Sequence, residues 1–253
     1  MVPRDEQHAP VDKAAPGVST AVEIAGYRVP LRLSEGEVHY LWSFMIWGSL
    51  MVPEIRRRLR NSWGFCERHA WSWLVMECSF RPDFLHGPAL LYKDLMERGR
   101  LAFTGGPHSS TSGRRLRNRK QCLMCDMGYG PDSKGYPDAY VLKHGRDLTN
   151  LKGFAAETSQ YWEKCVCGLC MGKQDRDLLC RSHLLDELSR GRLNHRDVDV
   201  QKHFVVDYLS ERVKIYARSF RWEWRNTNTT EDRASLLSAI GWCSGWGELL
   251  KIL

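Results

Sequence analysis

Gly64-Phe65-Cys66-Glu67-Arg68-His69 and Leu178-Leu179-Cys180-Arg181-Ser182-His183 share one layout: apolar residues, then Cys-x-x-His, then a run with helical spacing. The first run continues through Trp73, Leu74 and Met76, the second through Leu184, Leu185 and Leu188. Two residues between a thiol and an imidazole let a tight turn aim both at one point, which is why such half-sites recur in zinc modules. A closed tetrahedral site needs two of them. Cys167-Gly168-Leu169-Cys170 lies upstream of Cys180, with nine residues between Cys170 and Cys180. Cys167, Cys170, Cys180 and His183 therefore form a compact Cys3His set. For Cys66 and His69 the unclaimed pair is Cys122-Leu123-Met124-Cys125, and joining them predicts a second set that ties the two halves of the chain together.

Both sets are expected to hold Zn2+, one or two ions per chain. An iron–sulfur cluster is the alternative, because Cys165, Cys167, Cys170 and Cys180 supply four thiolates of the kind clusters use. Cys78 and Cys243 sit among apolar residues and read as buried hydrophobes. Nine cysteines is an odd number, so full pairing as disulfides would leave one thiol over. Four protein ligands close a zinc site, whereas a catalytic zinc keeps an open position. The chain has no H-E-x-x-H, no H-x-E with P-C-x-x-C, no Walker A loop, no G-x-G-x-x-G and no G-x-S-x-G. Glu67, between Cys66 and His69, is expected to be exposed.

Outward from the cysteines, the pattern is helical. Ser34 with Glu37 is a capping-box signature ahead of Val38, Leu41, Phe44, Met45 and Leu50. Pro53 suits the first turn of a further helix, where its missing N–H costs nothing. Pro88–Glu97 and Gly153–Val166 read as helices, and the spacing predicts a long one over about Val198–Trp224. Thr229 and Asp232 can cap a last helix bearing Leu236, Leu237, Ile240 and Trp242. Composition makes 102–113 a loop, rich in Gly, Ser and Thr. The expected fold is mostly α: a helical bundle-like architecture with one or two Cys3His zinc-stabilised modules and a flexible N-terminal tail. The expected divisions are a tail at 1–20, an N-terminal helical region at 21–103 holding the Cys66/His69 half-site, and a zinc-binding region with long helices at 104–253. Within the second of these, 21–33 alternates loosely, as a short hairpin or extended arm would.

The run Tyr40-Leu41-Trp42-Ser43-Phe44, then Arg60-Asn61-Ser62-Trp63-Gly64-Phe65-Cys66-Glu67-Arg68-His69-Ala70-Trp71, resembles a bacterial family of helical Cys/His proteins of unassigned function. Its members carry C-x-x-C, a helix pair, then G-F/L-C-x-x-H and an apolar helix. Cys122/Cys125 with Cys180/His183, and Trp224 with Glu231-Asp232-Arg233-Ala234-Ser235 and Ala239-Ile240, are similar to the rest of that family. The family's first C-x-x-C would fall before Tyr40, yet residues 1–65 contain no cysteine. Either Cys122/Cys125 supplies those ligands, or that site is lost and Cys66/His69 are relics.

Composition bounds the role. The 253 residues carry a net charge of +7, with charged residues at 26% and hydrophobic ones at 43%, which is the balance of a globular chain. No apolar run reaches the roughly 18–20 residues of a membrane span. Tyr40–Val52 comes closest and includes Trp42, Ser43, Trp47 and Ser49. Arg4, Asp5, Glu6 and His8 do not fit a signal peptide, so the expected compartment is the reducing cytoplasm. Arg114, Arg115, Arg117, Arg119 and Lys120 form a basic run able to track phosphates. Arginine is common throughout this chain, however, and such runs also decorate any solvated face. The leading expectation is a non-enzymatic, zinc-stabilised helical protein that binds nucleic acid or a protein partner. A biosynthetic tailoring enzyme with a pocket among Trp residues and His39, His86, His144 and His203 is the alternative, and an iron–sulfur or thiol redox sensor the third.

Overall fold

The computed structural model describes residues 31–103, 109–225 and 227–253. The tail at 1–20 and most of the arm at 21–33 lie outside these residues. Leu31 and Leu33, at the end of that arm, are buried. The architecture is mostly α, and no strand occurs among the described residues.

The capping box forms as expected. Ser34 Oγ accepts the Glu37 N–H at 3.2 Å, and Glu37 Oε2 accepts the Ser34 N–H at 2.7 Å, starting α1 (Glu35–Tyr40). The helix runs on through a π-helical stretch, Leu41–Ile46, and stops short of Pro53 at Trp47-Gly48. Pro53 opens α2 (Pro53–Asn61) in its first turn. The next elements are α3 (Glu67–Phe80), α4 (His86–Phe103), α5 (Ser109–Leu116), α6 (Leu123–Asp126), α7 (Ala139–His144) and α8 (Thr149–Trp162). They are followed by α9 (Arg181–Ser189), α10 (His195–His203), α11 (Ser210–Arg218), α12 (Thr230–Ser244) and α13 (Gly247–Ile252).

Several boundaries differ from the sequence reading, among them α8, which spans Thr149–Trp162 and not Gly153–Val166. Helix α4 extends well beyond Pro88–Glu97, because Gly99 does not break it. A Cβ on Gly99 would meet Val205 Cγ1 at 3.1 Å, so the glycine serves close helix packing. The stretch read as loop over 102–113 is helical at both ends, within α4 and α5. The long C-terminal helix is α10 and α11 joined through a π-helical stretch, Phe204–Leu209; it starts at His195 and ends at Arg218.

Helix α12 lies at the centre. Every residue from Ala234 to Cys243 is buried, which makes it apolar on all faces, the mark of a helix enclosed by others. It packs against α8, α11, α4, α3 and α9. The buried apolar residues form one cluster from Leu31 to Ile252. Trp63, Trp71, Trp73, Trp242 and Trp246 are fully buried within it, each ring burying a large apolar area. Trp162 stacks on Trp246 at 5.9 Å between centroids, and Trp71 donates its indole N–H to Gly245 O at 2.9 Å. Among the described residues no helix is long and apolar enough to cross a membrane.

Candidate metal centres and the basic faces around them

Both Cys-x-x-His segments fold the same way. Cys66 is the N-cap of α3 at φ −65, ψ 169, and Cys180 the N-cap of α9 at φ −68, ψ 160. Each cysteine carbonyl accepts the first helical hydrogen bond, from Ala70 at 2.9 Å and Leu184 at 2.8 Å. His69 and His183 stand on the first turn, one residue short of a full helical repeat from their cysteines. Each thiol thus sits at the positive end of a helix, a position that favours the thiolate.

The Cys-x-x-Cys partners come from tight turns closed by left-handed glycines. Gly128 (φ 82) follows Cys125 and Gly172 (φ 71) follows Cys170; a side chain at either position would be strained. The first half-site is delivered by Trp63 and Gly64, both at positive φ (57 and 87). A buried tryptophan in that region costs about 1–2 kcal/mol of local strain. Its indole N–H donates to Arg117 O at 3.2 Å, and its ring packs on Trp242 at 5.9 Å.

The structure brings the ligand atoms of Cys66, His69, Cys122 and Cys125 within 4.8 Å of one another, and does the same for Cys167, Cys170, Cys180 and His183. Among the described residues these are the only sets of this kind. In the first, His69 Nδ1 lies 3.2 Å from Cys66 Sγ, 3.5 Å from Cys122 and 3.4 Å from Cys125, with Cys66 and Cys125 3.7 Å apart. In the second, His183 Nδ1 lies 3.3 Å from Cys167, 3.4 Å from Cys170 and 3.2 Å from Cys180, with Cys170 and Cys180 3.7 Å apart. A tetrahedron with Zn–S and Zn–N bonds of about 2.3 and 2.1 Å has S–S edges of about 3.8 Å and S–N edges of about 3.6 Å. The separations match those edges closely and are far too long for disulfides. Each set can hold a metal ion.

Electrostatics points the same way. Hydrogen bonding within the first set, from Cys66 above all, brings Cys122 down to about 3. Cys66 is pushed up, first by its pairing with Cys122 and then by burial. Burial and the Cys122 charge together raise Cys125 to about 11. The second set divides alike: Cys180 lies well below the usual thiol range and Cys170 above it, both through their partner thiols. One thiolate forms readily in each set, but its charge opposes another, and a divalent cation removes that opposition.

Behind the first set stands a carboxylate that the sequence reading took only as a helix cap. Glu37, fully buried, lies 3.2 Å from His69 Nε2, although the ring N–H is not well aligned on it. Arg68 donates to the same carboxylate through Nε (2.6 Å) and Nη2 (2.8 Å). Burial opposes the charge, but His69, Arg68 and the Ser34 N–H outweigh it and hold Glu37 at about 2. A carboxylate behind a ligating histidine fixes the ring and its tautomer. The signal was present in Ser34–Glu37, but nothing in the spacing tied it to His69.

Glu67 departs from the exposed state expected of it. It is half-buried, its Oε1 accepts the Glu248 N–H at 2.9 Å, and it caps α13 from α3. Cys165 is buried with its thiol near Tyr161 O (3.6 Å), outside the second set, while Cys78 and Cys243 are buried in the core as expected. The four histidines considered for an alternative pocket stand on four different helices. His39 is on α1, His86 on α4 beside Phe84 and Phe220, His144 on α7 against Tyr140, and His203 on α10 beside Asp207 (2.5 Å).

Arg114, Arg115, Arg117, Arg119 and Lys120 are all exposed. Arg115 and Arg119, with Arg98, Leu101 and Ala102, line a cleft of about 350 Å3. Arg98 lies over the Trp63 ring at 4.0 Å and donates to Arg60 O. No ion pair among the described residues joins a carboxylate to Arg98, Arg117 or Arg119. Burial first, then the charges of Arg119 and Arg181, lower the Arg98 guanidinium to about 10. Arg98 was not singled out in the sequence, since only the fold places it beside Arg119.

No family model, curated protein or solved structure matches this chain in sequence or fold.

Proposed function

We propose that the protein is a zinc-stabilised helical scaffold that acts by binding rather than catalysis, with nucleic acid as its partner. Cys66, His69, Cys122 and Cys125 hold one Zn2+, and Cys167, Cys170, Cys180 and His183 the other. The observation that carries the metal assignment is the pair of four-residue sets with the edge lengths of a zinc tetrahedron. Three thiolates and an imidazole favour zinc over hard cations, and four protein ligands leave no open position for substrate or water. Support for a polyanionic partner comes from the guanidinium groups of Arg98 and Arg119, gathered at one cleft with no carboxylate among the described residues paired to either. A protein partner recognised through the same face is the competing occupant.

Elemental analysis of protein purified without added metal or chelator tests the first half, and about two zincs per chain is the expected result. Iron, or no metal, overturns it. Retention on an immobilised polynucleotide that weakens steeply with salt tests the second half. Passage at low salt overturns that half and leaves the zinc assignment standing.

A further inference from the structure

Helix α4 also packs along α11, and the turn that follows α11 carries a second basic surface of different character. Two clefts flank that turn. Lys93, Lys214, Arg218 and Arg221 line the smaller, of about 200 Å3, with Leu90 and Ala217 at its base. Phe84, Phe220, Trp222 and Arg225 line the larger, of about 530 Å3, with Asp83. Trp222 is 82% exposed and Phe84 48%, which is unusual for rings this large in a chain that buries most of its tryptophans. Phe84, His86 and Phe220 form a three-ring cluster with centroids 5.2–5.5 Å apart. Arg218 lies over the Trp224 ring at 3.8 Å, and its buried Nε has no hydrogen-bond partner. The carboxylates nearby are Asp83, Glu223, Glu211 and Glu97; Glu211 pairs with Lys214 at 3.2 Å and Glu97 with Arg100 at 2.6 Å. The five lining cations outnumber these four carboxylates.

We infer that this face binds a single-stranded polynucleotide, with Lys93, Lys214, Arg218, Arg221 and Arg225 along the phosphates and Phe84 and Trp222 stacking on the bases. The inference rests on the nucleic-acid reading above, adds to the Arg98/Arg119 cleft a second contact surface and names the substrate class. Cations interleaved with exposed flat rings are the arrangement that single strands require, since their bases offer free π-faces. In a duplex those faces are covered by neighbouring base pairs, so Trp222 would have nothing to stack on.

The test uses the full-length, metal-loaded protein and fluorescein-labelled probes: an oligo-dT, an oligo-U and a DNA duplex of equal length, read by anisotropy. Both single strands are expected to bind more tightly than the duplex. Trp222→Ala should weaken single-strand binding by about tenfold or more, and Trp222→Phe should recover most of it. Trp222 is exposed, so metal content and far-UV circular dichroism should not change. Arg218→Ala with Arg221→Ala should flatten the salt dependence. If the probes bind but Trp222→Ala and Phe84→Ala have no effect, this face is wrong and nucleic-acid binding lies elsewhere. A duplex bound as tightly as the single strands also overturns the proposal. If no probe binds, the nucleic-acid reading falls with it.

Discussion

At the scale of single residues, the two metal sets are where one atom matters most. If the sets hold Zn2+ as proposed, replacing a thiol leaves three ligands and weakens a binding free energy that for a whole structural zinc site is on the order of ten kcal/mol. Cys170→Ser is therefore expected to lose one zinc equivalent and to melt well below the parent. Cys78→Ala should keep both zincs, because Cys78 is buried away from either set. Equal melting of Cys170→Ser and parent would refute the second site. Glu37 acts on the first site through His69; Glu37→Gln is expected to weaken zinc there by about 10–100-fold in chelator competition. Glu77 presents a different case. It is buried, its Oε1 accepts the Trp73 indole N–H at 3.0 Å, and burial pushes its carboxyl up from 4.5 to about 7. The folded state therefore binds the proton more tightly than the unfolded state. That contribution is complete below about pH 4.5 and is lost as pH rises through about 7. Glu77→Gln should match the parent near pH 4 and exceed it at pH 8 by about 3 kcal/mol, read from denaturant midpoints. A constant difference across that range would contradict the assignment.

At the scale of elements, caps and close approaches set the boundaries. Ser34/Glu37, Asn194/Asp197 and Thr229/Asp232 each form a complete capping box, and each is legible as a four-residue pattern. The first and third were identifiable from sequence because apolar residues at helical spacing follow them. The start at Asn194 was missed because charged residues follow it, and only packing shows that Val198 and Gln201 face inward. Gly241 and Gly245 form a Gly-x-x-x-Gly run that serves both close packing and the end of α12. A Cβ at Gly241 would run into the Trp246 ring, which is itself packed against Trp71 and Trp162. Gly241→Ala is expected to destabilise the fold by about 3 kcal/mol, measured as a shift in denaturant midpoint. A shift below a few tenths would mean that α13 moves aside easily.

At the scale of the whole molecule, the metal sets and the core are one system. The first set joins the start of α3 to α6, and Glu37 of α1 stands behind it. The second joins the turn after α8 to α9. Cys122, Cys167 and Cys180 belong to the same buried cluster as the tryptophans. Removing the metal with a strong chelator should therefore lower the denaturant midpoint of the entire chain. Helicity and tryptophan fluorescence should still change together, in one transition. Two separated transitions, or an unmoved midpoint, would show that the sets do not support the core.

The sequence by itself determined the helical class, the capped helix starts at Ser34 and Thr229 and the membership of the compact Cys167/Cys170/Cys180/His183 set, because these depend on local spacing. A two-residue interval in a turn fixes where two side chains point, and an apolar period fixes which face of a helix is buried. Tertiary structure alone decided that Cys66/His69 meets Cys122/Cys125, that Glu37 stands behind His69, and that Glu67 caps α13. It also decided that α4 runs on through Gly99, that Arg98 joins Arg119, and that Trp222 stays exposed while Trp242 is buried. The physical reason is common to all of them. Each depends on which distant segments the core brings within a few ångströms, and that is set by how thirteen helices pack among the described residues, not by any local pattern.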